Sequence, residues 1–152
     1  IWLAYRPNGT KRVRLFSGNF PDDGVIEFDL GNVPEPKSKQ IADTWGRFPY
    51  GAEFVLMREG IKLREGIDGV VYGDIPGGGM SRSASLTLNL ILSLLDAGKI
   101  EIENKFKIVD MAQAVENDYI LFFEHDPVYE CCNLQQTERG IRAKDFFKLS
   151  EF

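Results

Sequence analysis

Near its middle the chain reads Asp74-Ile75-Pro76-Gly77-Gly78-Gly79-Met80-Ser81-Arg82-Ser83-Ala84-Ser85-Leu86. A β-like stretch, residues 69–73, precedes this run, and an apolar helical pattern continues from Leu86 to Leu95. The order is therefore strand, glycine-rich loop and helix N-terminus. Glycines let backbone N–H groups approach a ligand closely, and the first helical turn offers unpaired N–H donors and a partial positive charge. The pattern predicts a loop that binds the phosphates of a nucleoside triphosphate.

Two commoner nucleotide-binding loops do not fit this run. A Walker A loop ends in Gly-Lys followed by Ser or Thr, whereas Gly98-Lys99 in this chain is followed by Ile100. A Rossmann fingerprint has its third glycine where Arg82 stands. The run is also compatible with an ordinary glycine-rich turn before a core helix, with Ser81 or Ser83 as the N-cap residue.

The glycine run resembles the second motif of the galactokinase-like sugar kinases in the GHMP kinase superfamily, which reads Pro-x-x-x-Gly-Leu-x-Ser-Ser-Ala. The residues that align with this motif are Pro76, Gly79, Ser81, Ser83 and Ala84, with Met80 in place of the leucine. The resemblance implies that the ATP-binding residues of this loop are Gly77, Gly78, Gly79, Met80, Ser81, Arg82 and Ser83.

The run departs from the family motif at two places. One residue fewer separates Pro76 from Gly79, and Arg82 stands at the first of the paired serines. In the family, the hydroxyl at that position approaches the phosphates and magnesium. Arginine can hold phosphate by its charge and its forked set of donors, but it cannot ligate a metal.

A second segment, Trp45-Gly46-Arg47-Phe48-Pro49-Tyr50-Gly51, is similar to the galactokinase pattern Trp-x-x-Tyr-x-x-Gly. It lies about thirty residues ahead of the glycine run, as in that family. The resemblance implies that Trp45 helps to wall the adenine pocket and that Phe48 replaces the tyrosine. The same spacing would also place both rings on one face of a helix, where they would pack against the core.

A third segment, residues 111–119, is similar to a galactokinase helix end that reads Gln-x-x-Glu-x-x-(Tyr/Phe). The glutamate of that pattern lies near the metal, so the resemblance implies that Glu116 holds Mg²⁺. One carboxylate together with phosphate oxygens and waters suits this octahedral, oxygen-ligated ion. Glu116 could equally face solvent, as most helical glutamates do.

Other motifs of the family are missing. No Gly-x-x-x-Asp-Gln element, which carries the catalytic base, follows Tyr119, and the sugar-holding first motif and the C-terminal glycine-rich motif are absent. Residues 137–143 and 145–149 again resemble galactokinases, where the matching segments form a helical pair far downstream. We expect a nucleotide-binding region over residues 1–120 and a fragment of downstream helices over residues 121–152. The sequence is thus expected to join separated pieces of a longer protein or to be a deletion product, and its catalytic residues stay unassigned.

The composition favours a globular, cytoplasmic protein. The net charge of −5 argues against a nucleic-acid partner, since phosphate contacts need a basic surface. No apolar stretch is long enough for a membrane span. Cys131 and Cys132 are adjacent, which disfavours a disulfide between them, and a structural zinc site has little support. His125, the single histidine, is expected to be a solvated loop residue because no Gly-x-Ser-x-Gly nucleophile elbow accompanies it.

The hydrophobic periodicities predict an α+β fold, and the family resemblance implies a GHMP-kinase-like mixed or antiparallel sheet packed with helices, similar to ribosomal protein S5 domain 2. Strands over residues 2–6 and 12–17 are expected to pair through a turn at 7–10, with a third strand over 25–30. Helices are expected over residues 38–58, 85–97 and 103–119. The last helix is expected to be an amphipathic core helix. Its apolar stripe is expected to contain Phe106, Val109 and Ala112 or Gln113, with Ile108 and Val115 beside it and Glu116 near its edge.

The resemblance implies ATP-dependent phosphorylation of a monosaccharide, galactose or a related sugar, at the anomeric hydroxyl, with Mg²⁺ as the metal. The alternative is a non-catalytic sugar- or nucleotide-binding relative, which Arg82 and the shortened loop would suit. A third possibility is an interaction domain whose glycine run only caps a helix. The sequence does not define an oligomeric state.

Overall fold

A computed structural model describes residues 1–36, 38, 44–73, 82–119, 131–137 and 140–147. A short 3-10 helix, Pro21–Asp23, lies between the second and third strands. The strands and helices are β1 (Trp2–Pro7), β2 (Arg12–Ser17), β3 (Val25–Asp29), α1 (Arg47–Arg58), β4 (Ile67–Tyr72), α2 (Arg82–Ala97), α3 (Lys105–Tyr119), β5 (Cys131–Thr137) and β6 (Gly140–Phe147).

Four strands form a mixed sheet in the order β1-β4-β2-β3. Strand β4 is antiparallel to β1 and parallel to β2, and β2 is antiparallel to β3. The predicted pairing of β1 with β2 is therefore wrong, because β4 lies between them. Alternating apolar and polar residues identify a strand but not its partner. The connection over residues 8–11 is long enough to cross the roughly 10 Å between β1 and β2, which are two strand spacings apart.

The entry of β4 into this gap depends on a glycine. Asn8 N–H donates to Gly66 O at 3.1 Å, and Gly66 N–H donates to Thr10 O at 2.6 Å. A Cβ at position 66 would lie 2.1 Å from the carbonyl oxygen of Arg12. Because no side chain fits there, glycine is what lets β4 come between the other two strands.

The alternation along β2 and β3 is confirmed. Val13 and Leu15 are buried, whereas Arg12 and Arg14 are exposed on the opposite face. Since successive side chains of a strand point to opposite faces, one sheet face carries the core and the other carries the charges. The core cluster joins the buried face to residues from all three helices.

Helix α1 begins at Arg47 and not near residue 38. Ser38 is not helical, Trp45 and Gly46 form a turn ahead of the helix, and residues 39–43 lie outside the described residues. Pro49 falls in the first helical turn, where its missing N–H costs no intrahelical hydrogen bond. Trp45 therefore does not share a helix face with Phe48, although both rings are buried.

The predicted stripe of α3 is confirmed at Ala112 and is wrong at Phe106 and Val109. Phe106 is 79% exposed and Val109 is 54% exposed, whereas the buried set is Ile108, Met111, Ala112 and Val115. Both sets have helical spacing, so periodicity alone does not choose between them. Packing of α3 against α1 and α2 decides the choice.

Strands β5 and β6 form a separate antiparallel pair in which Cys131 lies opposite Phe147. The prediction of a downstream helical pair is wrong for residues 140–147. Their backbone groups are paired across the two strands, and Ile141, Phe146 and Phe147 are residue types that favour strands. The boundary at residue 120 stays a prediction.

The predicted class is confirmed as a mixed sheet packed with helices. Among the helices that the structure describes, none is long and apolar enough to cross a bilayer.

Candidate functional site

The glycine run is flanked by the elements that the sequence predicts. Strand β4 ends at Tyr72, and Gly73 follows it as a buried residue. Helix α2 begins at Arg82, three residues earlier than predicted. The predicted phosphate-binding residues that lie outside the described part of the chain are Gly77, Gly78, Gly79, Met80 and Ser81.

Ser83 and Glu116, predicted from separate motifs, are in contact. Ser83 lies in the first turn of α2 and Glu116 in the last turn of α3. The Ser83 hydroxyl donates to Glu116 Oε2 at 3.1 Å. Helix α2 runs away from the glycine run, so this contact places the Glu116 carboxylate next to the residues that follow the predicted phosphate loop.

Thr87 also faces the glutamate. Its hydroxyl donates to Glu116 Oε1 at 3.5 Å, and Thr87 itself is fully buried. Ser83 and Thr87 are four residues apart and therefore lie on the same side of α2. Sequence reasoning missed Thr87, although its spacing from Ser83 is a signal that could have identified it.

The donor chemistry of this cluster fits magnesium. Ser83, Thr87 and Glu116 offer oxygen atoms only, as a hard divalent cation requires. In the described ranges no group of three or more His, Cys, Asp or Glu side chains is placed to hold a metal. Glu116 is thus the carboxylate that α3 provides here, and Mg²⁺ ordinarily takes its remaining ligands from water and substrate phosphates.

Trp45 is buried more deeply than an open pocket wall would be. Its exposed fraction is 3%, and the ring belongs to the core cluster. The indole Nε1 has no hydrogen-bond partner in the part of the chain that the structure describes. Any contact between this ring and adenine would involve its small exposed edge.

The turn between β2 and β3 contacts two of these segments, which the sequence did not reveal. Asn19 makes two hydrogen bonds to the backbone of Gly73, and Asp23 accepts one from the backbone N–H of Trp45. Asp22 and Asp23 lie in the 3-10 helix of this turn. Asx side chains commonly bond backbone groups in turns, which is the signal that was available.

Glu53 is a buried carboxylate outside this cluster. It is 1% exposed and accepts a hydrogen bond from Gly31 N–H at 2.9 Å, while its Oε2 has no partner among the described residues. Burial raises the pKa of Glu53 to about 7, because the loss of hydration disfavours the carboxylate more than the hydrogen bond from Gly31 favours it. Gly31 adopts a φ of +83°, and its bond to Glu53 holds the chain where it leaves β3.

A groove of about 530 Å³ opens beside the end of β3. Its Arg12 side chain is already paired with Glu27 and Asp29, at 2.8 and 3.1 Å. The full lining is Arg12, Glu27, Phe28, Asp29, Asn32, Val33, Pro34 and Tyr50. Tyr50 belongs to the segment that carries Trp45, but none of the lining residues belongs to the glycine run or to the Ser83–Glu116 contact, and we assign no ligand to the groove.

The relatives found by comparison with known sequences are galactokinases. No family model matches the chain. Over 111 residues it is 36% identical to a galactokinase of Lactococcus lactis subsp. lactis, covering 72% of this chain and 27% of the relative. A galactokinase of Levilactobacillus brevis is 34% identical over 119 residues, which is 78% of this chain and 30% of the relative. The chain thus spans less than a third of the length of these relatives.

Comparison with solved structures supports the same similarity. The crystal structure of Lactococcus lactis galactokinase complexed with galactose superimposes with a TM-score of 0.68 and 34% identity, covering 78% of this chain and 29% of that chain. Methanococcus jannaschii mevalonate kinase gives a TM-score of 0.60 at 15% identity, covering 76% of this chain and 36% of that chain. The second likeness concerns the fold alone.

Proposed function

Since this chain is a galactokinase-like member of the GHMP kinase superfamily, we propose that the protein transfers the γ-phosphoryl group of ATP to the anomeric hydroxyl of galactose. The observation that carries this proposal is the hydrogen bond between Ser83 and Glu116. It joins the first turn after the glycine run to the helix end that resembles the family's metal-binding glutamate. Galactose is proposed because the Lactococcus lactis relative was solved in complex with it.

Ser83 and Glu116 are proposed to hold Mg²⁺, with Thr87 orienting the second carboxylate oxygen. The two hydroxyls face both oxygens of Glu116, so the carboxylate is fixed from one side by α2. Magnesium, when bound, supplies neutralisation of the charge on the phosphate oxygens. Arg82 stands beside this group at the helix N-terminus and adds a positive charge toward the phosphates.

The phosphates of ATP are proposed to bind the backbone N–H groups of residues 77–83. The N-terminus of α2 favours an anion at this position through its unpaired donors and its dipole. Trp45 is proposed to contribute an edge to the adenine pocket. This catalysis depends mainly on positioning and charge stabilisation, and the group that accepts the proton of the sugar hydroxyl is not assigned. We also propose a cytoplasmic location and a role in galactose metabolism.

The proposal is tested by calorimetric titration of the purified chain with ATP, with and without Mg²⁺, and by transfer of radiolabelled phosphate from ATP to galactose. We expect ATP to bind more tightly when Mg²⁺ is present. Glu116→Gln should weaken the Mg²⁺-dependent part of binding by about 10-fold or more. Ser83→Ala should weaken it as well.

Two matched variants serve as controls. Ser85 is exposed on the same helix turn, and Asp110 is exposed on α3, so Ser85→Ala and Asp110→Asn should bind ATP as the unmodified chain does. Binding without transfer to galactose would support the non-catalytic alternative. Absence of ATP binding would refute the nucleotide site.

A further inference from the structure

The side chain of Asn19 makes the hydrogen bonds to the backbone after β4 that a neighbouring strand would otherwise make. After Ser17 the chain turns away from the sheet, with Gly18 N–H donating to Val71 O at 2.9 Å and Phe20 N–H donating to Ser17 O at 3.2 Å. At Gly73, just after the end of β4, the partner is a side chain. Asn19 Nδ2 donates to Gly73 O at 2.7 Å, and Gly73 N–H donates to Asn19 Oδ1 at 2.8 Å. One amide thus satisfies both backbone groups of a buried residue.

Gly73 is the last described residue before the glycine run. Its backbone groups are buried, so removal of the Asn19 amide would leave a donor and an acceptor without partners. Such groups are expected to move toward water, and this movement would shift the point at which the chain enters the run.

The same turn also contacts the Trp45 segment. Asp23 lies four residues after Asn19, and its Oδ2 accepts a hydrogen bond from Trp45 N–H at 3.0 Å. Trp45 lies just ahead of α1, where no helical hydrogen bond would hold its N–H. Residues 19–23 therefore connect the entry of the glycine run with the segment that carries Trp45.

We propose that Asn19 and Asp23 are positioning residues for nucleotide binding, which set the entry of the phosphate loop and the Trp45 segment relative to each other. Neither side chain touches the nucleotide in this scheme. The inference rests on the proposed function and adds to it two residues outside the family motifs. Because charged ligands lose affinity when their donors are displaced by about 1 Å, loss of either residue should weaken ATP binding more than it weakens folding.

The chain provides a matched control for each residue. Asn8 is bonded in a similar way at the opposite end of β4, where its Nδ2 donates to Arg12 O at 2.8 Å and to Asp68 Oδ1 at 2.9 Å. Asp22 is the exposed neighbour of Asp23. Asn8→Ala therefore matches the stability cost of Asn19→Ala, and Asp22→Ala matches the charge change of Asp23→Ala.

The test is the dissociation constant for ATP, measured by calorimetry at a temperature at which every variant is folded by circular dichroism. We expect Asn19→Ala and Asp23→Ala to bind ATP about 10-fold more weakly, while Asn8→Ala and Asp22→Ala bind as the unmodified chain does. Asp23→Asn keeps an oxygen acceptor for Trp45 N–H and should restore most of the affinity. If Asn19→Ala does not fold, Asn19→Asp provides the comparison, since it keeps the acceptor for Gly73 N–H and loses the donor.

The outcomes separate this inference from the proposed function. Unchanged ATP affinity in Asn19→Ala and Asp23→Ala, with binding intact in the unmodified chain, would overturn the positioning role and leave the function standing. Equal weakening in Asn8→Ala and Asn19→Ala would also overturn it, because it would show a general loss of stability. Failure of the unmodified chain to bind ATP would overturn the function and the positioning role together.

Discussion

The two faces of the four-stranded sheet differ in the surroundings that they provide for a carboxylate. The inner face belongs to the core cluster with the helices, and the carboxylate buried on that side, Glu53, has one backbone hydrogen bond and a raised pKa of about 7. On the outer face, Asp68 accepts two hydrogen bonds from Arg14, both at 2.8 Å, and its pKa is lowered to about 2.

The difference teaches that the partners of a carboxylate, and not its residue type, set its proton affinity. The core surrounds Glu53 with apolar groups, which disfavour its charged form. Outward-facing arginines on the two neighbouring strands lie opposite Asp68 in the register of the sheet. Because a one-residue slip would exchange the two faces, the same register that buries the core also builds this ion pair.

The largest difference between the faces should appear on truncating an apolar side chain. Leu15 is 1% exposed on the inner face, and Val70 is 50% exposed on the outer face. Leu15→Ala should lower the free energy of unfolding by about 2–5 kcal/mol. Val70→Ala should change it by about 0.5 kcal/mol. Urea denaturation measures both, and equal losses would mean that the outer face is also covered.

A second prediction concerns Glu53 and pH. Its pKa is higher in the folded chain than in the unfolded chain, so the folded state holds its proton between pH 4.5 and about 7, where the unfolded state has lost it. Stability should therefore fall as pH rises through this range, by about 3 kcal/mol in total from this group. Glu53→Gln should remove this fall. Urea titrations from pH 5 to 8 measure this difference. Equal losses of stability in Glu53→Gln and the unmodified chain would show that Glu53 is not the group responsible.

A third prediction concerns Asp68 and has the opposite sign. Its pKa is lower in the folded chain, so its stabilising contribution is complete above pH 3.8 and is lost as pH falls toward about 2. Asp68→Asn should lower the thermal midpoint at pH 7 by less than Leu15→Ala does, and should show a smaller further loss between pH 4 and 2. If the thermal midpoint of Asp68→Asn fell between pH 4 and 2 as steeply as that of the unmodified chain, groups other than Asp68 would be responsible for the loss of stability in acid.

The smallest effect is expected at Arg12. Its partners Glu27 and Asp29 are about half exposed, as Arg12 itself is, so solvent and salt screen the pairs. Arg12→Ala should leave the thermal midpoint within the error of the measurement, and 1 M salt should remove any residual difference. A clear loss of stability would show that Arg12 supports the nearby groove through packing.

The sequence predicts the local parts of this fold better than their partners. The alternation of Arg12–Ser17 and Val25–Asp29 identifies two strands because one face of each is buried. The partner of β1 was not predicted, because Ile67–Tyr72 is distant from β1 in sequence. Periodicity likewise left two possible stripes in α3, and the neighbouring helices choose between them.

The candidate site divides in a similar way. Ser83 and Glu116 could be proposed from motif resemblance, and the structure brings their side chains together. Asn19 and Asp23 could not, because each contacts a group that is distant in sequence, and the only sequence signal for Thr87 is its spacing from Ser83. Turn residues and a helical threonine have many ordinary roles, so their identity alone carries no information about that partner.

The insertion of β4 between β1 and β2 has a consequence for the order in which the chain folds. Within the four-stranded sheet, β2 and β3 are neighbours in sequence and can pair early, with little chain entropy lost on closing their turn. Strand β1 pairs with β4 alone in this sheet, so its 6 residues have no strand partner until Ile67–Tyr72 has been synthesised. We expect a slow step with high contact order, in which the exposed edges of β1 and β2 are open to self-association until β4 arrives.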